Sequence, residues 1–465
     1  MMAILNLIFL TILQLLSGFG LLTLFRLELK PFIHMAVSLL VGIAISSLLP
    51  FALQLVYIPL TSLAVSISLI IVTALINIRF TKGITKFKES WNNYKLRMQP
   101  YEILLLIIAA SIVIISVWRC FYFPPTPRDL VSGPEVIAAY TIKEKTMVNS
   151  VFTVNLESTN NPFKPAFITS LQIIYKYAGF EFGQIWLSMI FNAFLIFLYG
   201  VLTTYLHRLL AGLLLIFFLV IPEMYSYTFM ALFDYSNAVY FCLSLYFLFN
   251  YFQNRQPRCL VFSGLLMAFA TYTRSETLIL ALLVTLALMM HHRRNNDQPL
   301  KFVLTGFYFL FPSVIIYLLS VTVYIKYYLP VSYNVEGLLR QDLWNLSPFL
   351  QRFWDMNDQL IFSNDGVNYF GYFIFLFVAL LLVDAVWKEP WDTRSLNWLF
   401  GVLVIYTGLP LIAFLFPLFD LDHSTKRGLF KIFPLMLLYM ANSRFLKYVS
   451  ERISVWEKSS INASV

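Results

Sequence analysis

The chain has 465 residues, of which 59% are hydrophobic and 12% charged, and its mean hydropathy is +0.75. That balance excludes a soluble globular enzyme and predicts an all-α polytopic membrane protein. The formal net charge of +9 then reports which side of the membrane the cations occupy, and no nucleic-acid partner is expected. Cys120, Cys242 and Cys259 stand far apart with no C-x-x-C or His-Cys spacing, so neither a disulfide framework nor a zinc site follows.

Taken in chain order, apolar runs long enough to span occur at about Ala3 to Leu24, Phe32 to Tyr57, Leu60 to Ile78 and Ile103 to Trp118. The first has no basic residue ahead of it and Arg26 and Lys30 after it. This predicts an outer amino terminus with no cleaved signal peptide. The segment Arg79 to Pro100 carries Arg79, Lys82, Lys86, Lys88, Lys95 and Arg97 against Glu89, so it is expected in the cytoplasm. With Trp91 and Tyr94 among its cations, it is either a surface for anionic lipid headgroups or simply the topological signal.

By parity the next connection, residues 123–182, lies outside. It is the one long segment polar enough to leave the bilayer. It begins F-P-P-T-P-R-D-L-V-S-G-P-E, passes through N-N-P-F-K-P and ends in an apolar stretch, Pro165 to Tyr177, too short to cross. That stretch predicts a helix lying in the interface.

Further spans are expected at Gly183 to Leu206, Leu209 to about Met230, Ser236 to Phe252, Cys259 to Thr273, Thr277 to Met290, Phe302 to Ile325, Val367 to Val383, Leu396 to Phe416 and Leu429 to Ala441. The pair flanking T-R-S-E is taken as two short helices with Arg274 at the turn. A single helix there would place His291, His292, Arg293, Arg294 and Lys301 outside. About thirteen transmembrane helices, amino terminus out and carboxyl terminus in, keep every substantial cytoplasmic connection basic and gather the carboxylates on the other face. The expected organisation is a three-helix extension with its basic loop (residues 1–100), a catalytic membrane domain (101–443) and a cytoplasmic tail (444–465).

The outer face collects the ionisable groups that a reaction between a lipid-linked substrate and a polar acceptor requires. A carboxylate must take a proton from the acceptor, and cations must hold the leaving phosphate. Asp129 and Glu135 are the candidate bases. Arg274, Lys426 and Arg427 are the candidates to bind the phosphate of the donor, and Asp234, Glu276 and His423 the candidate substrate contacts. Each has a plainer alternative. Asp129 would interact with Arg128 or cap the helix near Pro134, and Glu135 would favour a helix dipole. Arg274 and Glu276 would pair with each other. Asp234 would cap a helix starting at Ser236, and Lys426 and Arg427 would snorkel at the interface. Asp420, Asp422 and His423 in F-D-L-D-H-S-T-K-R have metal-binding atoms, but a lone D-x-D is unspecific, and no metal is assigned.

The order of these motifs resembles the GT-C superfamily of glycosyltransferases, in particular the protein-mannosyltransferase and aminoarabinose-transferase branch (glycosyltransferase family 39-like). The resemblance covers about Ile103 to Tyr439. It rests on Glu135 followed by V-I-A-A-Y in the first outer loop, then N-P-F-K-P-A-F, D-Y-S-N before a helix, T-R-S-E, and the closing K-R-G-L-F-K-I-F-P. The family's adjacent D-E pair is here Pro134 and Glu135, with Asp129 earlier, its T-R-P-E turn is T-R-S-E, and its late Tyr is Gly428.

The resemblance implies sugar transfer, with inversion, from a polyprenyl-phosphate donor to a lipid, glycan or protein acceptor on the outer side of an inner membrane, with a loop carboxylate as base. The other readings are a transporter or flippase of a lipid-linked glycan, or a glycan ligase or polymerase. No convincing internal repeat supports transport. No Walker loop, G-x-G-x-x-G or H-E-x-x-H occurs, so no cofactor is assigned.

Overall fold

The computed structural model describes residues 2–94, 99–122, 131–154, 164–179, 183–230, 232–294, 299–330, 339–387, 390–417 and 419–463. Among them every regular element is helical, so the all-α expectation holds. The principal helices are α1 (Met2–Leu24), α2 (Pro31–Leu55), α3 (Ser62–Ile76), α4 (Phe80–Asn92), α5 (Pro100–Tyr122), α6 (Val136–Glu144), α7 (Phe167–Ala178), α8 (Ile185–Tyr205), α9 (Arg208–Leu219) and α10 (Phe233–Asn254). They continue as α11 (Pro257–Thr273), α12 (Thr277–Arg294), α13 (Pro299–Tyr317), α14 (Ser347–Asp355), α15 (Asn364–Phe370), α16 (Phe373–Val386), α17 (Thr393–Leu415), α18 (Ile432–Asn442) and α19 (Arg444–Ala463).

Among the described residues, seven helices are long and apolar enough to cross a membrane, or up to nine if each of two bent pairs is one crossing. Helix α5 is extreme, with only 11% of its most apolar window covered by protein. An apolar surface of that length left open by the protein is one that lipid covers.

Each of the thirteen expected crossings holds helix, and the lower number has local causes. The stretch Leu209 to Met230 stops at Leu219, and Pro222 opens a separate short helix, Pro222–Ser226, because proline cannot continue the hydrogen-bond ladder. Helix α11 has 17 residues, and α10 has the length, 22 residues, but carries Asp234, Asn237, Gln253 and Asn254. The stretch Val367 to Val383 bends by 97° between α15 and α16. Gly371 makes that bend at φ 60°, a conformation glycine adopts without a Cβ clash.

The chain forms two compact units. The first comprises Met1–Lys95, Ile115–Phe194 and Tyr227–Leu339; the second comprises Leu96–Ile114, Leu195–Ser226 and Arg340–Val465. In the first, α1 and α2 approach closely through glycines. A Cβ on Gly18 would stand 1.7 Å from the Ser38 carbonyl oxygen, and one on Gly42 would stand 1.7 Å from that of Gln14. Small residues allow this backbone approach in lipid, where burial of apolar area gives helices little reason to associate. Hydrogen bonds lock the contact: Gln14 donates to Ser46 Oγ at 2.9 Å and accepts from Tyr175 of α7 at 2.7 Å.

The short helix expected within the outer connection is α7, and every residue in it except Tyr177 is buried by protein. Its Phe167 packs edge-on against Tyr240 of α10 and Tyr272 of α11, each at 5.9 Å between centroids.

In the second unit, α16 and α18 pack through Phe373 against Phe433 and Phe377 against Tyr439. Asp384, 1% exposed, accepts from Tyr439, Ser443 and the backbone N–H of Phe445. A carboxylate at the start of α19 satisfies donors that the helix itself leaves open.

Candidate active site

Glu135 closes a single π turn, Val131–Glu135, directly ahead of α6. The backbone kinks at Gly133 (φ −120°, ψ −111°) with Pro134 next to it. Glu135 meets Lys176 of α7, Oε1 to Nζ at 2.5 Å, with side-chain exposures of 14% and 5%. A lysine buried in an apolar helix needs a counter-charge, and Glu135 supplies it. The second carboxylate oxygen, Oε2, is buried and has no hydrogen-bond partner among the described residues. The dipole of α6 favours a carboxylate here as well, but it leaves Oε2 unused.

One turn before Lys176, Gln172 is fully buried, and neither atom of its amide has a partner among the described residues. Gly183 lets the chain pass over this group. A Cβ there would lie 3.0 Å from Gln172 Oε1 and 3.3 Å from Lys176 Cε. Glu135 and Gln172 thus each lie close to Lys176, with Glu135 Oε2 and the Gln172 amide unspent among the described residues. Native interiors rarely leave such groups open without a reason. Asp129, the other candidate base, lies outside the described residues, as do residues 161–163 of the N-P-F-K-P segment.

The T-R-S-E stretch is the break between α11 and α12, as expected. Arg274 leaves the helix in an extended conformation (φ −144°, ψ 115°). It pairs through Nη1 with Asp234 of α10 and through Nη2 with Glu276. Burial opposes its charge, but the two carboxylates outweigh burial and hold its pKa above the ordinary value. The Arg274–Glu276 pair anticipated from spacing exists. The cap suggested for Asp234 does not, since α10 starts at Phe233 after Leu232 with no side-chain cap. Asp234 is 2% exposed and turned to Arg274 instead. Asn237, one turn along, donates to Thr273 at 2.8 Å and to Thr277 at 2.9 Å, tying together the two helix ends that flank the break.

The remaining candidates lie in the second unit. Lys426 Nζ meets Glu223 Oε1 at 2.9 Å and stands 4.0 Å above the Tyr369 ring, combining an ion pair with a cation–π contact. Arg427 follows it in the same turn, Lys426–Gly428. His423 Nδ1 is 2.7 Å from Asp420 Oδ2 at an exposed position. Asp420 also accepts from the Ser424 N–H at 2.7 Å, capping the turn Leu421–Thr425. Burial raises the Asp420 carboxyl, but the Ser424 and His423 hydrogen bonds prevail and lower it below the ordinary value. Among the described residues no three His, Cys, Asp or Glu side chains gather to hold a metal.

The family model described as dolichyl-phosphate-mannose-protein mannosyltransferase matches residues 160–318. The match supports a GT-C superfamily glycosyltransferase. No curated protein and no solved structure matches the chain. The matched segment contains Gln172, Lys176, Asp234, Asn237, Arg274 and Glu276 and stops short of Lys426. Glu135 precedes it. Three of these residues, Lys176, Gln172 and Asn237, were not singled out from sequence. For Lys176 a signal exists, a lone cation in the apolar run Q-I-I-Y-K-Y. Asn237 closes the D-Y-S-N motif, though only the packing shows what it ties together, and for Gln172 only the packing gives a signal.

Proposed function

We propose that this glycosyltransferase moves a sugar from a polyprenyl-phosphate donor to a lipid, glycan or protein acceptor on the extracytoplasmic face of an inner membrane, with inversion. The matched family's description, a mannosyltransferase using dolichyl phosphate mannose, supports a lipid-linked donor of this chemistry. The observation that carries the reading is the Glu135 carboxylate, with Oε1 held by Lys176 and Oε2 buried without a partner among the described residues. An anion kept in place by a cation, with one oxygen unspent, has what a general base needs.

In the proposed step Oε2 takes the proton of an acceptor hydroxyl while the acceptor oxygen bonds to the anomeric carbon. The bond from that carbon to the phosphate oxygen breaks, and the electron pair leaves with polyprenyl phosphate. Asp129 is the alternative base. Asp234 and Glu276, held by Arg274, are proposed to accept hydrogen bonds from substrate hydroxyls, with His423 as a further substrate contact. Arg274, Lys426 and Arg427 are proposed donors to the phosphate oxygens.

The test is transfer of labelled sugar from a panel of polyprenyl-phosphate sugars by the full chain in lipid. Glu135→Gln is expected to lower kcat about 10²- to 10⁴-fold while donor binding persists, and Asp129→Asn to act less. The reverse ranking moves the base to Asp129. If the wild type consumes no donor while labelled lipid-linked glycan crosses the bilayer, transfer is replaced by transport.

A further inference from the structure

In the first unit a cavity of about 920 Å³ opens between the turn that joins α1 to α2, the first turn of α2, and α4. Arg26, Lys30, Arg79, Lys82 and Lys86 line it, against two carboxylates, Glu28 and Glu89. Glu28 is taken up by Lys86 at 3.3 Å. Arg26, Arg79 and Lys82 have no ion pair among the described residues. Cations collected around a void without matching acids are an electrostatic attractor for an anion.

Two further features point to phosphate. Lys30, Pro31 and His34 bring the first turn of α2 to the cavity wall, and that helix, 25 residues long, has no side-chain cap. Its open N–H groups and positive dipole end suit a phosphate oxygen. Helices α3 and α4 form one continuous run, Ser62–Asn92, of 31 residues. About 20 residues cross the hydrocarbon, so the final turns, with Lys82 and Lys86, extend to headgroup level. Gly83 seats this extension on α1, since a Cβ there would fall 2.4 Å from Thr23 Oγ1. Phe87 packs on Phe19 and His34, at 5.9 and 5.5 Å between centroids, and forms an apolar flank to the cation group.

We propose that this cavity binds a phosphate-bearing anion, with Arg26, Arg79, Lys82 and the first turn of α2 on the phosphate. The same chemistry is presented by the headgroup of an anionic phospholipid and by free phosphate or pyrophosphate. The proposal does not depend on the transfer reaction.

The experiment is native mass spectrometry of the full chain released from detergent micelles. The probes are dioleoyl-phosphatidylglycerol, dioleoyl-phosphatidylcholine, inorganic phosphate and pyrophosphate, each titrated separately. Wild type is expected to retain an anionic probe at one saturable site. The triple variant Arg26→Gln, Arg79→Gln, Lys82→Gln is expected to bind about a hundredfold more weakly, from a factor of about five for each cation removed. Retention of phosphatidylglycerol over phosphatidylcholine, undisturbed by millimolar phosphate, assigns the headgroup. Saturable phosphate or pyrophosphate binding with no lipid preference assigns the free anion. Unchanged affinity in the triple variant overturns the site, as does the absence of saturable binding by wild type. If the triple variant does not fold, Lys82→Glu alone, checked by its melting temperature, must still weaken binding, and an unchanged affinity there overturns the proposal equally.

Discussion

At the scale of single residues, two buried cations of the first unit each meet a carboxylate. Lys176 has Glu135, and Arg274 has Asp234 and Glu276. The members of the Arg274 group are not equal. Asp234 has a side chain 3% exposed, whereas that of Glu276 is 18% exposed, so losing Asp234 removes the partner that water can least replace. Asp234→Ala is expected to destabilise the protein by about 3–5 kcal/mol, read as a lower melting temperature in lipid, and Glu276→Ala by less. Equal effects would mean that water reaches Arg274 from both sides. The sequence foretold the Arg274–Glu276 neighbourhood, because two residues' separation is local information. It left Asp234 open between a cap and a site role, because the choice between capping its own helix and reaching across to α11 depends on where α11 packs.

At the scale of elements, hydropathy located the helices and breakers located their ends, but the contacts between helices rest on glycines that hydropathy does not distinguish. Gly18 faces the Ser38 carbonyl oxygen at a distance no Cβ tolerates, and that oxygen belongs to backbone and cannot swing aside. Gly18→Ala is expected to force α1 from α2 and cost about 1–3 kcal/mol or more. Gly306→Ala, where a Cβ would meet only the flexible ends of Thr285 and Met289 at 3.3 Å and beyond, is expected to stay within about 1 kcal/mol of wild type. Thermal unfolding of both variants in the same lipid checks the contrast, and similar losses would refute the tight α1–α2 contact. The bend at Gly371 and the stop before Pro222 illustrate the same division. Each breaker was visible in the sequence, but a long apolar stretch around it still suggested a single crossing.

At the scale of the whole molecule, the bias of basic residues predicts the orientation, and the orientation is testable from outside. All three native cysteines are buried, which leaves introduced cysteines as clean reporters. With the amino terminus outside, a membrane-impermeant maleimide applied to intact cells is expected to label Trp344→Cys, at a position 96% exposed, and to leave Ser90→Cys unlabelled until the cells are opened. The opposite pattern would invert every assignment of face.

The sequence by itself determined that this is an all-helical membrane protein, where its helices run, and that the chain breaks at T-R-S-E. Those properties follow from hydropathy summed over neighbouring residues and from local backbone preferences. The tertiary structure decided which carboxylate holds which cation, that Glu135 keeps one oxygen unspent while the other meets Lys176, and that the cations of α4 share a cavity with Arg26 and the start of α2. Those outcomes depend on helices distant in sequence being brought together, and an ion pair or a cavity wall exists only once the packing has set the distance between its parts.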